Sequence, residues 1–187
     1  MPVKSQGFSL MEVLIAMAIS SVLLLATSRF LPALQGAVLR QTRQQALEEE
    51  IWQRLYVVAK HLQRAGYCNG SCQGEPLQLE KSGECLIVRW DANSNGIWDG
   101  SPVTDADSTG FRLNNGALET LRGATTCTGK GWEKMTDPGV FNISRFAVTR
   151  TAHSGFAPQL TVIMTASLTA DSQTAVSAQY SVTGFNL

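Results

Sequence analysis

A single carboxylate opens the longest apolar stretch of the chain. Glu12 is the only charged residue between Phe8 and Ser28. A run of that length crosses about 30 Å of hydrocarbon as a helix. An ionised carboxylate in such a run is costly, so it implies a function and requires a cationic partner. The same glutamate also has a local use. Ser9-Leu10-Met11-Glu12 is a capping box, in which serine and glutamate satisfy the first free N–H groups of a helix. Gly7 and Phe8 stand immediately before it.

Two further groups have side chains suited to chemistry. Asp91, Asn93, Asn95 and Asp99 alternate around Gly96 in the manner of an EF-hand-type calcium loop. Pro102 stands where the chelating glutamate is expected, with Asp105 and Asp107 as the nearest substitutes. The commoner use of such a segment is a polar turn. Cys68, Cys72, Cys85 and Cys127 suit two disulfides or, together, one zinc ion. A zinc site would want a second paired motif, which Cys85 and Cys127 do not make. No metal and no cofactor are expected. His61 and His153 belong to no ligand pattern, and His61 falls near a helix end, where a positive charge is favourable.

The elements that must position these groups follow from periodicity. The apolar run continues as a helix past Pro32, which removes one backbone bond and predicts a kink. Leu47, Ile51, Leu55, Val58 and Leu62 then form one apolar stripe at helical spacing. Glu50 precedes Arg54 by one turn, the favourable order for an ion pair. Gly66 stands where a helix-terminating glycine belongs. A helix from Phe8 to Ala65 would be about 87 Å long. Beyond Gly66 the helical period is lost. Strands are expected at Cys85–Trp90, Gly110–Leu113, Ala117–Leu121, Val140–Arg150, Leu160–Leu168 and Ala175–Thr183. Asn114-Asn115-Gly116 gives the hairpin turn between the second and third. The fold class is therefore α+β, a long N-terminal helix on a mainly antiparallel sheet.

The combination of Gly7, Phe8 and Glu12 at the head of an apolar helix resembles the processing site of type IV prepilins. In that family a membrane peptidase cuts after the glycine and N-methylates the new terminal phenylalanine, here Phe8. The freed amine of one subunit then lies beside the glutamate of the next, here Glu12. Later stretches narrow the resemblance. They are Leu62-Gln63-Arg64-Ala65-Gly66-Tyr67 with Cys68 and Cys72, Asp91 to Gly96, Gly110 to Leu113, and Cys127 with Gly131 to Asp137. These resemble PilW-type minor pilins and the J-type minor pseudopilins of type II secretion.

The resemblance implies a leader at 1–7 and a membrane-spanning or filament-core helix at 8–31. An amphipathic continuation follows at 32–65, then a periplasmic β-rich domain at 66–187. It implies an inner-membrane protein with a cytoplasmic leader that primes or caps a type IV pilus or type II secretion pseudopilus. Its partners would be the prepilin peptidase and N-methyltransferase, other minor pilins, the major pilin and the inner membrane. It would be a structural subunit, not an enzyme. The alternative is an adhesin or DNA-binding pilin displayed at a tip.

Other observations weigh on this reading. Lys4 is the only basic side chain before the span, while Arg29, Arg40 and Arg43 follow it. Counted alone, they favour the opposite orientation. Ala26-Thr27-Ser28 could serve an ordinary signal peptidase, but the leader carries one lysine and the apolar run begins with an acid. The 187 residues have zero formal net charge, so there is no basic field for nucleic acid. Arg112, Arg122, Lys130, Lys134, Arg145 and Arg150 are scattered among acids, and DNA contact is not expected. Outside the cytoplasm the cysteines read as disulfides, with three pairings possible. The favoured pairing is Cys68–Cys72, closing Asn69-Gly70-Ser71, with Cys85–Cys127. The latter closes about 43 residues and contributes on the order of 4 kcal/mol.

Overall fold

The computed structural model describes Gly7, residues 9–100 and residues 105–187. Its contacts divide it into two units, Met1–Arg43 and Gln44–Leu187. One helix, α1, runs over Leu10–Arg64. Leu, Ala, Met, Glu, Gln and Arg dominate it, residues that lose little side-chain freedom in a helix. Helical structure continues through Pro32.

In the first unit the most apolar window of α1 has a mean hydropathy of 2.2, and none of it is buried. It is long and apolar enough to cross a membrane. Three of its hydroxyls bond back to the helix. Ser21 donates to the Ala18 carbonyl at 2.8 Å, Thr27 to Leu23 at 2.9 Å, and Ser28 to Leu25 at 2.9 Å. Back-bonding of this kind removes the cost of a bare hydroxyl in hydrocarbon.

In the second unit α1 turns its stripe inward. Leu47, Ile51, Leu55, Val58 and Leu62 are all buried, joined by Ala59 and Ala65. Arg54 pairs with Glu50 at 2.7 Å along the flank. The helix ends at Gly66, whose φ of +85° few other residues adopt. The Gly66 N–H donates to the Arg89 carbonyl at 2.9 Å, tying the helix exit to the sheet.

The strands make two antiparallel sheets. The first orders β1 (Leu77–Glu80), β2 (Cys85–Arg89), β3 (Ser108–Asn114), β4 (Ala117–Arg122) and β5 (Glu133–Lys134). The second orders β6 (Phe141–His153), β7 (Phe156–Leu168) and β8 (Asp171–Thr183). This is the α+β arrangement the periodicity predicts, with the strands divided between two sheets. The division falls at Asp137-Pro138-Gly139. There the Asp137 carbonyl accepts the Val140 and Phe141 N–H groups, and the proline offers no donor for a ladder. The β3–β4 hairpin closes through Asn115 and Gly116, at φ +48° and +75°, as a tight two-residue turn demands. β1 and β5 escape sequence reading because they are only four and two residues long, and the Leu-Gln-Leu-Glu alternation of β1 is too short to stand out.

One core joins α1 to both sheets: Leu86, Val88, Phe111 and Leu118 from the first, Phe146, Leu160, Val162 and Met164 from the second. A small satellite core holds Cys85, Ile87, Ala124 and Cys127.

Candidate functional site

The N-terminal segment is built as a capped helix start. The Ser9 hydroxyl accepts the Met11 N–H at 3.3 Å, and the Glu12 carboxylate accepts the Ser9 N–H at 3.1 Å. Serine and glutamate thus satisfy donors that the first helical turn leaves free. Glu12 is exposed and heads a strip with Ala16, Ser20 and Leu24 at four-residue steps. Gly7 is exposed, with open space around its Cα. Phe8 lies outside the described residues. Among the described residues from Gly7 to Ser28 this segment has one ionisable side chain, that of Glu12. It can offer a backbone bond to a protease and a carboxylate to a cation.

The second cluster lies just past the helix. Cys68 is bonded to Cys72, and Cys85 to Cys127. The Cys68–Cys72 loop lies on the loop that follows β2, joined through Asp91. The buried Asp91 carboxylate accepts N–H groups from Asn69 at 3.1 Å, Asn95 at 3.0 Å and Gly96 at 2.8 Å. Burial alone would raise its pKa. The donors from Asn69, Gly96, Asn95 and Ser94 outweigh that and hold the carboxyl below its ordinary range. Asp107, also buried, accepts from Ala92 at 3.0 Å and Asp99 at 2.9 Å.

The residues that suggest a calcium loop therefore bond to one another. Asn93 and Asn95 donate their amides to Asp99 at 3.1 and 2.7 Å, while their side-chain oxygens accept backbone N–H groups. Asp105 is exposed, and Pro102 lies outside the described residues. Asp91 also lies beside Cys68 and Cys72. Disulfide sulfurs are not thiolates, so this cluster does not make a metal site.

Two sequence expectations change. His61 is not a solvated charge at the helix end. It packs edge-on against Trp90 and Phe111, with centroids at 4.7 and 5.0 Å. Burial, and secondarily the nearby Arg64, push its pKa down to about 4. Arg112 is not a free surface cation. It pairs with Glu119 at 2.8 Å, donates to the Cys127 carbonyl at 2.9 Å and lies 4.3 Å over the Trp132 ring. Sequence reading passed over Trp52 and Tyr56, an aromatic pair one helical turn apart, exposed beside the stripe. Their spacing was the available signal.

A model of the prepilin peptidase-dependent protein B family matches residues 40–184. The chain belongs to that family. The prokaryotic N-terminal methylation motif matches residues 3–28, a span that contains Gly7, Ser9 and Glu12. Prepilin peptidase-dependent protein B of Escherichia coli (strain K12) is 63% identical over 187 residues, covering all of both chains. No solved structure matches the chain. The family match covers the sheets and α1 from Arg40 onward, and the motif match covers α1 as far as Ser28.

Proposed function

We propose that this chain is a minor pilin or pseudopilin, a structural subunit that primes or caps a type IV pilus or type II secretion pseudopilus. Prepilin peptidase would cut between Gly7 and Phe8 and methylate the Phe8 amine. The observation that carries the reading is Glu12. It is the one charge between Phe8 and Ser28, it follows Gly7-Phe8, and it lies inside a matched methylation motif. The capping bond from Ser9 gives Glu12 a donor while the chain is alone. In a helical stack the neighbour's Phe8 amine would replace that weak donor with a full positive charge, neutralising both groups away from water. The apolar half of α1 would anchor the chain in the inner membrane. The unit Gln44–Leu187 would be periplasmic, a compartment in which both disulfides persist.

The test is the mass of the mature N-terminus in cells with and without prepilin peptidase. N-methyl-Phe8 only when the peptidase is present is the expected result. An intact Met1, or a start near Arg29, would overturn the reading. Glu12→Ala should leave processing intact and remove the chain from assembled pili.

A further inference from the structure

Four sheet edges could accept another strand, and three are guarded. β1 is four residues long and ends in Glu80. β5 is two residues, Glu133 and Lys134. β6 carries a bulge between Ile143 and Arg145 in its ladder with β7, and it lies against β2, β3, β4 and the turn before β2. Short strands, charges, bulges and cover are the usual devices against edge-to-edge pairing.

β8 has such features only at its start, the charge of Asp171 and a register irregularity opposite Ser167 and Leu168, and from Ala175 to Thr183 it has neither. It is 13 residues long and pairs on one side only, with β7. From Ser172 to Leu187 there is no charged side chain and no proline. About half of its backbone N–H and C=O groups face away from β7. Among the described residues no backbone pairs with them. A second, separate observation lies beside this edge. Tyr180 of β8 meets Tyr56 of α1 at 5.0 Å, and Tyr56 meets Trp52 at 6.0 Å. Trp52 and Tyr56 stay 39% and 51% exposed, and Phe185, just past β8, 77%. Exposed aromatics bordering an open strand are the kind of surface that anchors a partner.

We propose that β8 is a docking edge, completed by an extended, uncharged strand from a different pilin-like chain. The backbone of an open edge is matched only by another strand, and the lack of charge along β8 favours a neutral one. A second copy of this chain suits it poorly. Tyr56 faces Tyr180 and Gly66 faces Asn186, so β8 and the end of α1 run in the same direction. Antiparallel pairing of two β8 strands would reverse one Gln44–Arg64 segment against the other, and parallel pairing would put the two segments on opposite faces of the joined sheet. The inference rests on the assembly reading and gives it a surface.

The experiment places a photo-cross-linking residue at exposed Gln179 of the full-length chain, in cells that carry prepilin peptidase and assemble pili. Cross-linked peptides are mapped by mass spectrometry, and the mature N-terminus is measured in the same sample. The expected product joins Gln179 to an extended, uncharged segment of another peptidase-processed chain. Ala175→Lys, at an exposed site, should cut its yield roughly tenfold without moving the thermal midpoint. Tyr56→Ala should weaken it. N-methyl-Phe8 with no such product, or with a product from a second copy alone, overturns the edge and leaves the pilin reading standing. A chain without N-methyl-Phe8 overturns both.

Discussion

Two buried titratable residues act in different pH windows, and their signs can be worked out. His61 titrates near 4 when folded, against an ordinary value of 6.5. The unfolded chain therefore binds a proton that the folded chain resists. Stability from a neutral His61 is complete above pH 6.5 and is lost as pH falls toward 4, by roughly 2–3 kcal/mol. Urea unfolding between pH 7 and 4.5 should show this slope, and His61→Phe should flatten it. Asp91 acts lower. Its folded pKa is depressed, so its contribution is present above the ordinary carboxylate range and lost as pH falls through the folded value. Asp91→Asn should lower stability at neutral pH and reduce the further loss in acid below about pH 4. If the variant loses as much stability in acid as the parent, other groups account for that loss. Sequence alone shows neither role. Asp91 reads as a ligand because its spacing is that of a calcium loop, yet folding turns its oxygens to the Asn69, Asn95 and Gly96 N–H groups. His61 reads as a surface charge because nothing local reveals that Trp90 and Phe111 will close on it.

At the scale of elements, what was legible tracks how local the cause is. The buried stripe of α1, the Glu50–Arg54 pair and the Asn115-Gly116 turn each depend on residues within a few positions, and each could be read. β5 depends on distant partners, pairing Glu133 with Thr120 and Lys134 with Glu119, and could not. The helix exit joins the two kinds of cause. A Cβ on Gly66 would collide with the Asn186 carbonyl, and its φ of +85° disfavours any other residue. Gly66→Ala should therefore strain the turn and displace the C-terminal residues, costing about 1–3 kcal/mol. Thermal unfolding would measure the loss, and a neutral result would mean that the C-terminus yields freely. The disulfides should differ in weight. Removing Cys85–Cys127 should cost on the order of 4 kcal/mol, and removing Cys68–Cys72 about 2 kcal/mol, because the first closes a much longer loop. Serine pairs at each bridge, compared by denaturant unfolding, test the order.

At the scale of the whole molecule, the two units obey different rules. From Leu10 to Ser28 the helix is apolar apart from Glu12 and a few hydroxyls, exposed and without a buried side chain, so nothing packed against it among the described residues explains why it is apolar. A solvent other than water must, which is why membrane and filament readings are natural for it. From Leu47 onward the same helix is ordinary amphipathic structure, and the main core lies wholly between Leu47 and Leu187. Neither disulfide reaches back past Cys68. The hydrophobic and covalent terms that stabilise the fold are therefore all present in Gln44–Leu187. That segment has roughly the length at which one domain buries a sufficient core. Expressed alone with its disulfides formed, it should fold cooperatively, stay in solution without detergent, and unfold at the same denaturant midpoint as the full chain in detergent. A markedly lower midpoint would show that the first unit contributes to the fold of the second. An equal midpoint would mean that selection on residues 8–43 concerns only what lies outside the chain. Changes such as Glu12→Ala could then abolish assembly while leaving the stability of the domain untouched.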